Sequence, residues 1–262
     1  MVPGGCPRLE VPIFGPGDGL TAVSLGASRL ELNQAGSYAV GGTTPTLPEL
    51  TALLSSLDSE SIYRPTIRIM IRPRGPPPPS SLGAPNTPQD FIYTPTEFST
   101  MASSITEFTA SGLPSPHHGD GFVFGVLCHN PTTGKVELDV ERNKKLVELA
   151  GQAGLKCVLH RAVDELLSDD EGDVGGVMEG VRGCGFEGVL TSGGKGDAVG
   201  NLEGLRGVGV EVIVGGGVRR GNLRGLVEGL RGGEGGGRFD EEEARGLAEG
   251  LRELRVVLLC EG

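Results

Sequence analysis

Ile67-Arg-Ile-Met-Ile-Arg-Pro-Arg74 is the stretch whose alternation decides how this chain folds. Successive side chains of a strand point to opposite faces. One face is therefore Ile67, Ile69 and Ile71, and the other is Arg68, Met70 and Arg72. Two further runs share this character. Arg29-Leu-Glu-Leu-Asn33 sets Leu30 and Leu32 against Arg29, Glu31 and Asn33, and Lys156-Cys-Val-Leu-His-Arg-Ala-Val-Asp164 ends in a group of polar residues. Strands that are apolar towards one layer and charged towards another suit a closed barrel with a polar interior.

Outward from these runs, β-type segments alternate with helical patterns. Strands are expected near Leu9–Ile13, Arg29–Asn33, Ile67–Ile71, Phe122–Leu127, Lys156–His160, Gly188–Thr191, Val210–Val214 and Arg255–Leu259. Helices are expected over 18–27, 46–57, 95–111, 139–153, 173–183, 198–206, 219–231 and 240–252. In the fourth, Asp139 is placed to cap, and Val140, Leu146, Val147 and Ala150 share a face. The expected fold is α/β, a TIM-like (β/α)8 barrel spanning residues 1–262 as one domain and lacking the closing eighth helix. A doubly wound open sheet is the rival. The stretches 76–89, 111–121, 168–173 and 232–237, rich in Pro, Gly or acidic residues, read as flexible surface loops.

Composition removes several functions. The net charge of −11 argues against a broad nucleic-acid face, which needs a basic stripe. No run of about 18 apolar residues is present, so no membrane-spanning helix is expected. The N-terminus lacks the apolar core of a signal peptide. Five scattered cysteines, at 6, 128, 157, 184 and 260, form no Cys-x-x-Cys and read as reduced thiols of a cytoplasmic protein.

Barrels of this class carry their chemistry where strands end. The pocket candidates are Glu10, Glu31, Arg72, His160, Arg161 and Asp164. Alternation turns Glu10, Glu31, Arg68 and Arg72 inward, and buried charges must pair, carboxylate with guanidinium. Such pairs form either an inert layer that plugs the barrel or the frame of a pocket. In the second case Arg72 and Arg161 grip a small phosphorylated or carboxylated metabolite, with Glu10 or Glu31 as proton acceptor. His160 is a general base, a metal ligand or a core histidine, and Asp164 orients its imidazole if the chain turns back after Ala162.

A second group is suited to an anion. Arg74, the hydroxyls of Thr191 and Ser192, and the turn Gly215-Gly216-Gly217 before a helix start would supply donors to a phosphate. For metals, Glu10, Glu31 and His160 form a set suited to zinc or manganese. Cys128 and His129 are the one adjacent soft pair, weakened by the divergence of neighbouring strand side chains.

Several stretches resemble the CutC copper homeostasis family. They are Ala22–Leu32, Gly41-Gly-Thr-Thr-Pro45, Ile71-Arg-Pro-Arg-Gly75, Gly121–Leu127, His160-Arg-Ala-Val-Asp164, Leu190-Thr-Ser-Gly193 and Gly215-Gly-Gly-Val-Arg219. The resemblance implies a TIM-like barrel, a cytoplasmic homo-oligomer and a role in copper homeostasis with copper ion binding. It implies no reaction. Where family members commonly carry cysteines, late in the first strand and after the second, this chain has Pro12, Ile13 and Asn33. The strand-eight His-Ser-Ser ending of the family is likewise replaced, by Leu258-Leu-Cys-Glu261. The residues themselves leave two alternatives: a barrel enzyme or binding protein for a small anionic metabolite, and a degenerate inactive barrel.

Overall fold

The computed structural model of the chain describes residues 8–59, 63–77, 89–167, 174–194, 196–201, 210–215, 225 and 257–260. Its strands are β1 (Arg8–Phe14), β2 (Arg29–Asn33), β3 (Thr66–Met70), β4 (Gly121–Phe124), β5 (Leu127–His129), β6 (Val136–Leu138), β7 (Lys156–Leu159), β8 (Gly188–Thr191), β9 (Glu211–Val214) and β10 (Val257–Cys260). The helices are α1 (Gly19–Ser24), α2 (Leu47–Ser59), α3 (Pro95–Ser111), α4 (Val140–Gly151), α5 (Ala162–Leu166) and α6 (Val174–Cys184).

Eight strands close into a barrel in the order β1-β2-β3-β4-β7-β8-β9-β10, which excludes the open sheet. Neighbours from β1 round to β9 run parallel. The exception is β10, antiparallel to both β1 and β9. That strand begins at the rim where β9 finishes, so its start, and not a βα loop, completes the rim there.

Register and alternation sort the inward side chains into layers. Glu10, Arg29, Arg68, Lys156 and Glu211 lie at the N-terminal ends of their strands. Met70, Val123, Val158, Leu190 and Ile213 form an apolar middle layer, and Glu31 pairs in register with Arg68 below it. Asn33, Arg72, Gly125, His160 and Ser192 lie at or just beyond the C-terminal ends. The opposite faces, among them Val11, Leu30, Ile67, Ile69, Phe122, Leu159 and Val189, pack against the helices in the main core. Each buried Leu, Ile or Phe contributes about 1.5–3 kcal/mol.

The lowest layer is ionic. Arg29 donates to Glu10 at 3.3 Å and to both carboxylate oxygens of Glu211 at 3.1 Å. Arg68 donates to Glu187 and to the carbonyl of Gly119, and Lys156 reaches the other Glu187 oxygen at 2.9 Å. The expected pairing of inward Glu10 and Glu31 with Arg68 and Arg72 is therefore replaced. Register sets Glu10 directly beside Arg29, and Glu187, just before β8, reaches the Arg68 level first.

Local sequence explains several boundaries. Thr94 and Glu97 close a capping box at the start of α3, and Pro95 occupies the first turn, where its missing N–H is harmless. Asp139 caps α4 as expected, accepting from the Arg142 N–H at 3.0 Å. The strand expected to run from Phe122 to Leu127 instead leaves the barrel after Phe124. Asn143 of α4 takes over the Val126 backbone, accepting its N–H and donating to its C=O. The chain then forms the separate β5–β6 hairpin. Sequence expectation missed α5 altogether.

Of the four expected loops, 111–121 is described throughout. It holds a 3-10 turn at Pro116–His118 and is tied down by buried Asp120. Nearly all of loop 76–89, all of 168–173 and 232–237, and nearly all of the helices expected at 219–231 and 240–252, lie outside the described residues. Residues 198–201 of the helix expected at 198–206 form a turn, and the remainder of that segment is also outside. No helix among the described residues is long and apolar enough to cross a membrane.

Asp120 accepts from the backbone N–H groups of Ile67 and Ser115, both at 2.8 Å, and from both terminal nitrogens of Arg64. It thereby joins the start of β3 to the loop before β4. Asp120→Ala strands a partly buried guanidinium and two N–H groups, and is expected to cost roughly 3–5 kcal/mol in urea unfolding. A loss below about 1 kcal/mol would show that the loop is held by other means.

Candidate functional site

The rim at the C-terminal ends of the strands carries two arginines in contrasting states. Arg72, just after β3, is buried. Its Nη1 donates to the carbonyls of Val40 and Gly42, at 2.8 and 3.0 Å, and its Nη2 donates to both Asp90 oxygens at 2.9 Å. Its guanidinium also lies 5.1 Å from the Phe91 ring centroid. Both terminal nitrogens are occupied, so Arg72 does not offer the bidentate anion grip expected of it. It clamps the loops after β2 and β3 together.

His160 lies one residue beyond β7, 3% exposed. In register it stands beside Gly125, which stands beside Arg72. Gly125 has to be glycine, because a Cβ there would come within 2.6 Å of Leu159 and 2.9 Å of the imidazole Nδ1. The ring thus leans over a bare backbone, and the Phe91 ring packs on it at 4.7 Å. The Ala162 N–H donates to His160 Nδ1 at 3.2 Å, which leaves the proton of the neutral ring on Nε2. Burial, and then the Arg72 charge, push its pKa down to about 3. His160 is therefore a neutral donor and not a base near neutral pH.

Asp164, on α5, does not orient that imidazole. Its carboxylate accepts from the Thr191 hydroxyl, from the Ser192 N–H at 3.0 Å and hydroxyl at 2.9 Å, and from Arg161 Nε at 2.8 Å. Arg161 Nη2 donates in turn to Ser192 Oγ at 3.1 Å. The hydroxyls expected to face an anion are thus committed to Asp164, while the arginine they help to hold remains nearly half exposed. The first glycine of the turn, Gly215, gives its N–H to the Thr191 carbonyl. Gly216 and Gly217 lie outside the described residues.

Glu31 is inward on β2 and buried, accepting from Asn33 Nδ2 at 3.1 Å. Burial, reinforced by the charge of Glu10, raises its pKa to about 7. A carboxyl poised there can take or give a proton at neutral pH. Glu10 sits one inward position deeper, paired with Arg29 in the ionic layer, and its charge still reaches Glu31, so neither carboxylate stands at the rim. Arg74 turns away as well. It bonds Glu97 at 2.6 Å and the carbonyls of Gln89 and Ile92, fixing the loop before α3. Asp90 and Phe91 are the rim residues that sequence reasoning missed. Their signal is slight, one acidic and one aromatic residue after a proline-rich stretch.

The described thiols, Cys128, Cys157 and Cys184, do not gather into a soft metal site. Cys128 and His129 lie on the β5–β6 hairpin outside the barrel wall. Cys157 and Cys184 are buried in the core, where burial pushes their pKa values to about 12 and about 11. Among the described residues no three His, Cys, Asp or Glu side chains converge as a metal would require. This also separates the proposed Glu10, Glu31 and His160 set.

The family described as the CutC family matches residues 8–233. A Mesorhizobium japonicum protein named as CutC is 30% identical over 187 residues, covering 71% of this chain and 57% of its own length. A Vibrio vulnificus relative of the same name (strain CMCP6) is 33% identical over 172 residues, covering 66% of this chain and 54% of its own. The chain thus spans little more than half the length of these relatives. The crystal structure of a putative copper homeostasis protein CutC from Streptococcus agalactiae matches with a TM-score of 0.65 at 24% identity, over 86% of this chain and 95% of that one. That likeness is one of fold.

The raised pKa of Glu31 has a defined sign. Between about 4.5 and 7 the folded protein keeps a proton that the unfolded chain has released, so this contribution to stability falls as pH rises through 7. His160 acts oppositely, its contribution being lost as pH falls from 6.5 towards 3. Glu31→Gln, whose amide oxygen still accepts from Asn33, is expected to be more stable than the parent by on the order of 3 kcal/mol near pH 8, and by little near pH 4. Urea unfolding at the two pH values checks this. Equal effects at both would mean that Glu31 ionises freely.

Proposed function

The chain belongs to the CutC family, and we propose that the rim of its barrel binds a small anionic metabolite through Arg161. The observation that carries this reading is the state of that side chain. One edge of its guanidinium is fixed by Asp164 and Ser192, and the rest faces solvent at the mouth of the barrel. An arginine held this way has already lost part of its rotamer freedom, so less is lost again when an anion docks. Glu31, deeper in the barrel, carries a carboxyl that titrates near neutrality.

Copper handling is suggested by the name of the Streptococcus agalactiae protein. The described residues fit copper(I) poorly. It prefers thiolate and thioether donors, whereas the described cysteines are one hairpin thiol and two core thiols whose ionisation burial opposes.

The test is thermal unfolding with inorganic phosphate and with copper(I) under reducing conditions, on the parent and on Arg161→Gln. A ligand at about 100 times its dissociation constant adds roughly 2.7 kcal/mol of stability. Phosphate should stabilise the parent, and Arg161→Gln should weaken phosphate binding roughly 10- to 100-fold, the value of a charged hydrogen bond. Asp164→Asn, which leaves the guanidinium unanchored, should fall between. Stabilisation by copper(I) alone would replace this reading with a metal-binding one.

A further inference from the structure

Beneath the rim is a buried donor that the Arg161 reading does not use. His160 Nε2 has no hydrogen-bond partner among the described residues. The Ala162 N–H occupies the other ring nitrogen, so the unpaired atom carries the proton. A buried N–H left without an acceptor is costly, and native proteins give nearly all such groups a protein, water or ligand partner. The environment of this one is built for a purpose. Gly125, where a Cβ would press on Leu159 and the imidazole, lets the His160 ring lie against bare backbone. Phe91 covers both, its ring 4.7 Å from the imidazole and 5.1 Å from the guanidinium carbon.

Phe91 holds its position at a cost. Its φ of 62° makes it the one described non-glycine residue in the left-handed region, worth roughly 1–2 kcal/mol of strain. Asp90 accepts its N–H at 3.0 Å, and the Leu127 N–H donates to its carbonyl at 2.9 Å. A strained residue pinned from both sides over an unpaired donor marks a place where the fold serves something other than its own stability. Arg72 Nε and the Tyr93 hydroxyl are also unpaired and buried, and the Arg72 charge acts on the phenol, so these two can satisfy one another. Arg68 Nε is unpaired as well, but among the ion pairs at the other end of the barrel, so at the rim His160 Nε2 is the described donor that needs an outside acceptor.

We propose that His160 Nε2–H donates to a carbonyl or carboxylate oxygen of a small molecule bound beneath Phe91, beside the Arg72 guanidinium. The ring stays neutral throughout the physiological range, so it recognises an oxygen acceptor without requiring a proton transfer. Arg72, saturated at its terminal nitrogens, supplies positive potential and not a grip. This deepens the reading of the rim and rests on it, since the same molecule would present its anionic end to Arg161 and its carbonyl end to His160.

Nitrogen-detected NMR on the whole chain separates the two readings, with His160 Nε2 and Arg161 Nε as independent reporters. The three other histidines are exposed, so the His160 ring is distinguishable. Titration with acetate tests a carboxylate acceptor, acetamide an uncharged carbonyl, and inorganic phosphate the rim. Saturable movement of the His160 signal by acetate or acetamide supports the proposal, and the probe that acts identifies the acceptor. Movement of Arg161 by phosphate with a His160 signal indifferent to every probe overturns the proposal, leaving a buried water as its partner and the rim reading intact. Silence at both sites overturns both. His160→Leu should weaken the effective probe about tenfold, measured by calorimetry, and His160→Gln, which keeps a donor, should retain most of the binding. Equal loss in both variants would also count against a donor role.

Discussion

Charge inside a closed barrel has to be neutralised by charge on a neighbouring strand, and this requirement fixes the register on which the rest depends. Glu10, Arg29 and Glu211 come from three strands and meet only because β1 and β2 are aligned with Glu10 opposite Arg29. A slip of one residue would turn Ile67, Ile69 and Ile71 into the barrel and put Arg68 and Arg72 against the helices. Unpaired charges there cost several kcal/mol each, more than any single apolar contact returns. The ionic layer thus selects one alignment from several that hydrophobic burial alone would tolerate. It does so at the end of the barrel remote from the rim.

With the floor closed by ion pairs and the middle by Met70, Val123, Val158, Leu190 and Ile213, chemistry is confined to the top. There two aspartates each take one arginine, with opposite results. Asp90 and two carbonyls use up both ends of the Arg72 fork. Asp164 takes one edge of Arg161 and leaves the remainder in solvent. The difference is one of position. Arg72 is inward on its strand and has loops on two sides, whereas Arg161 is the first residue past an inward histidine and stays nearly half exposed.

Much of this was legible in the sequence. The alternation of Ile67–Arg72 gave the in-and-out sorting of β3, and Asp139 and the helix at 95–111 were readable from caps and spacing. The pairings were not. Which carboxylate meets which guanidinium depends on strand register and on Glu187 and Glu211, residues at strand starts that carry no local mark. Asp90 and Phe91 act across a turn beyond a long insertion, so no periodicity points to them. Phe91 in particular adopts a backbone conformation that its residue type disfavours, a tertiary effect invisible to local propensity. The role expected of Asp164 failed for a related reason. The backbone after His160 enters α5 at once, and the Ala162 N–H reaches the imidazole before any side chain can.

Family membership and local chemistry then bear on different questions. The match over residues 8–233 identifies the ancestry of the barrel, while the ligand depends on side chains at the rim and on how they are held. A thiol serves a soft metal only as thiolate, and a core position such as that of Cys157 opposes that ionisation by desolvation. Asn33 fixes Glu31 from inside the barrel, a hydrogen bond to a carboxyl and not a soft donor. An inward neutral histidine and an anchored but open arginine then share the rim of the barrel, with a carboxyl titrating near neutrality below them. Groups so arranged suit a carbonyl-bearing anion far better than a monovalent soft cation.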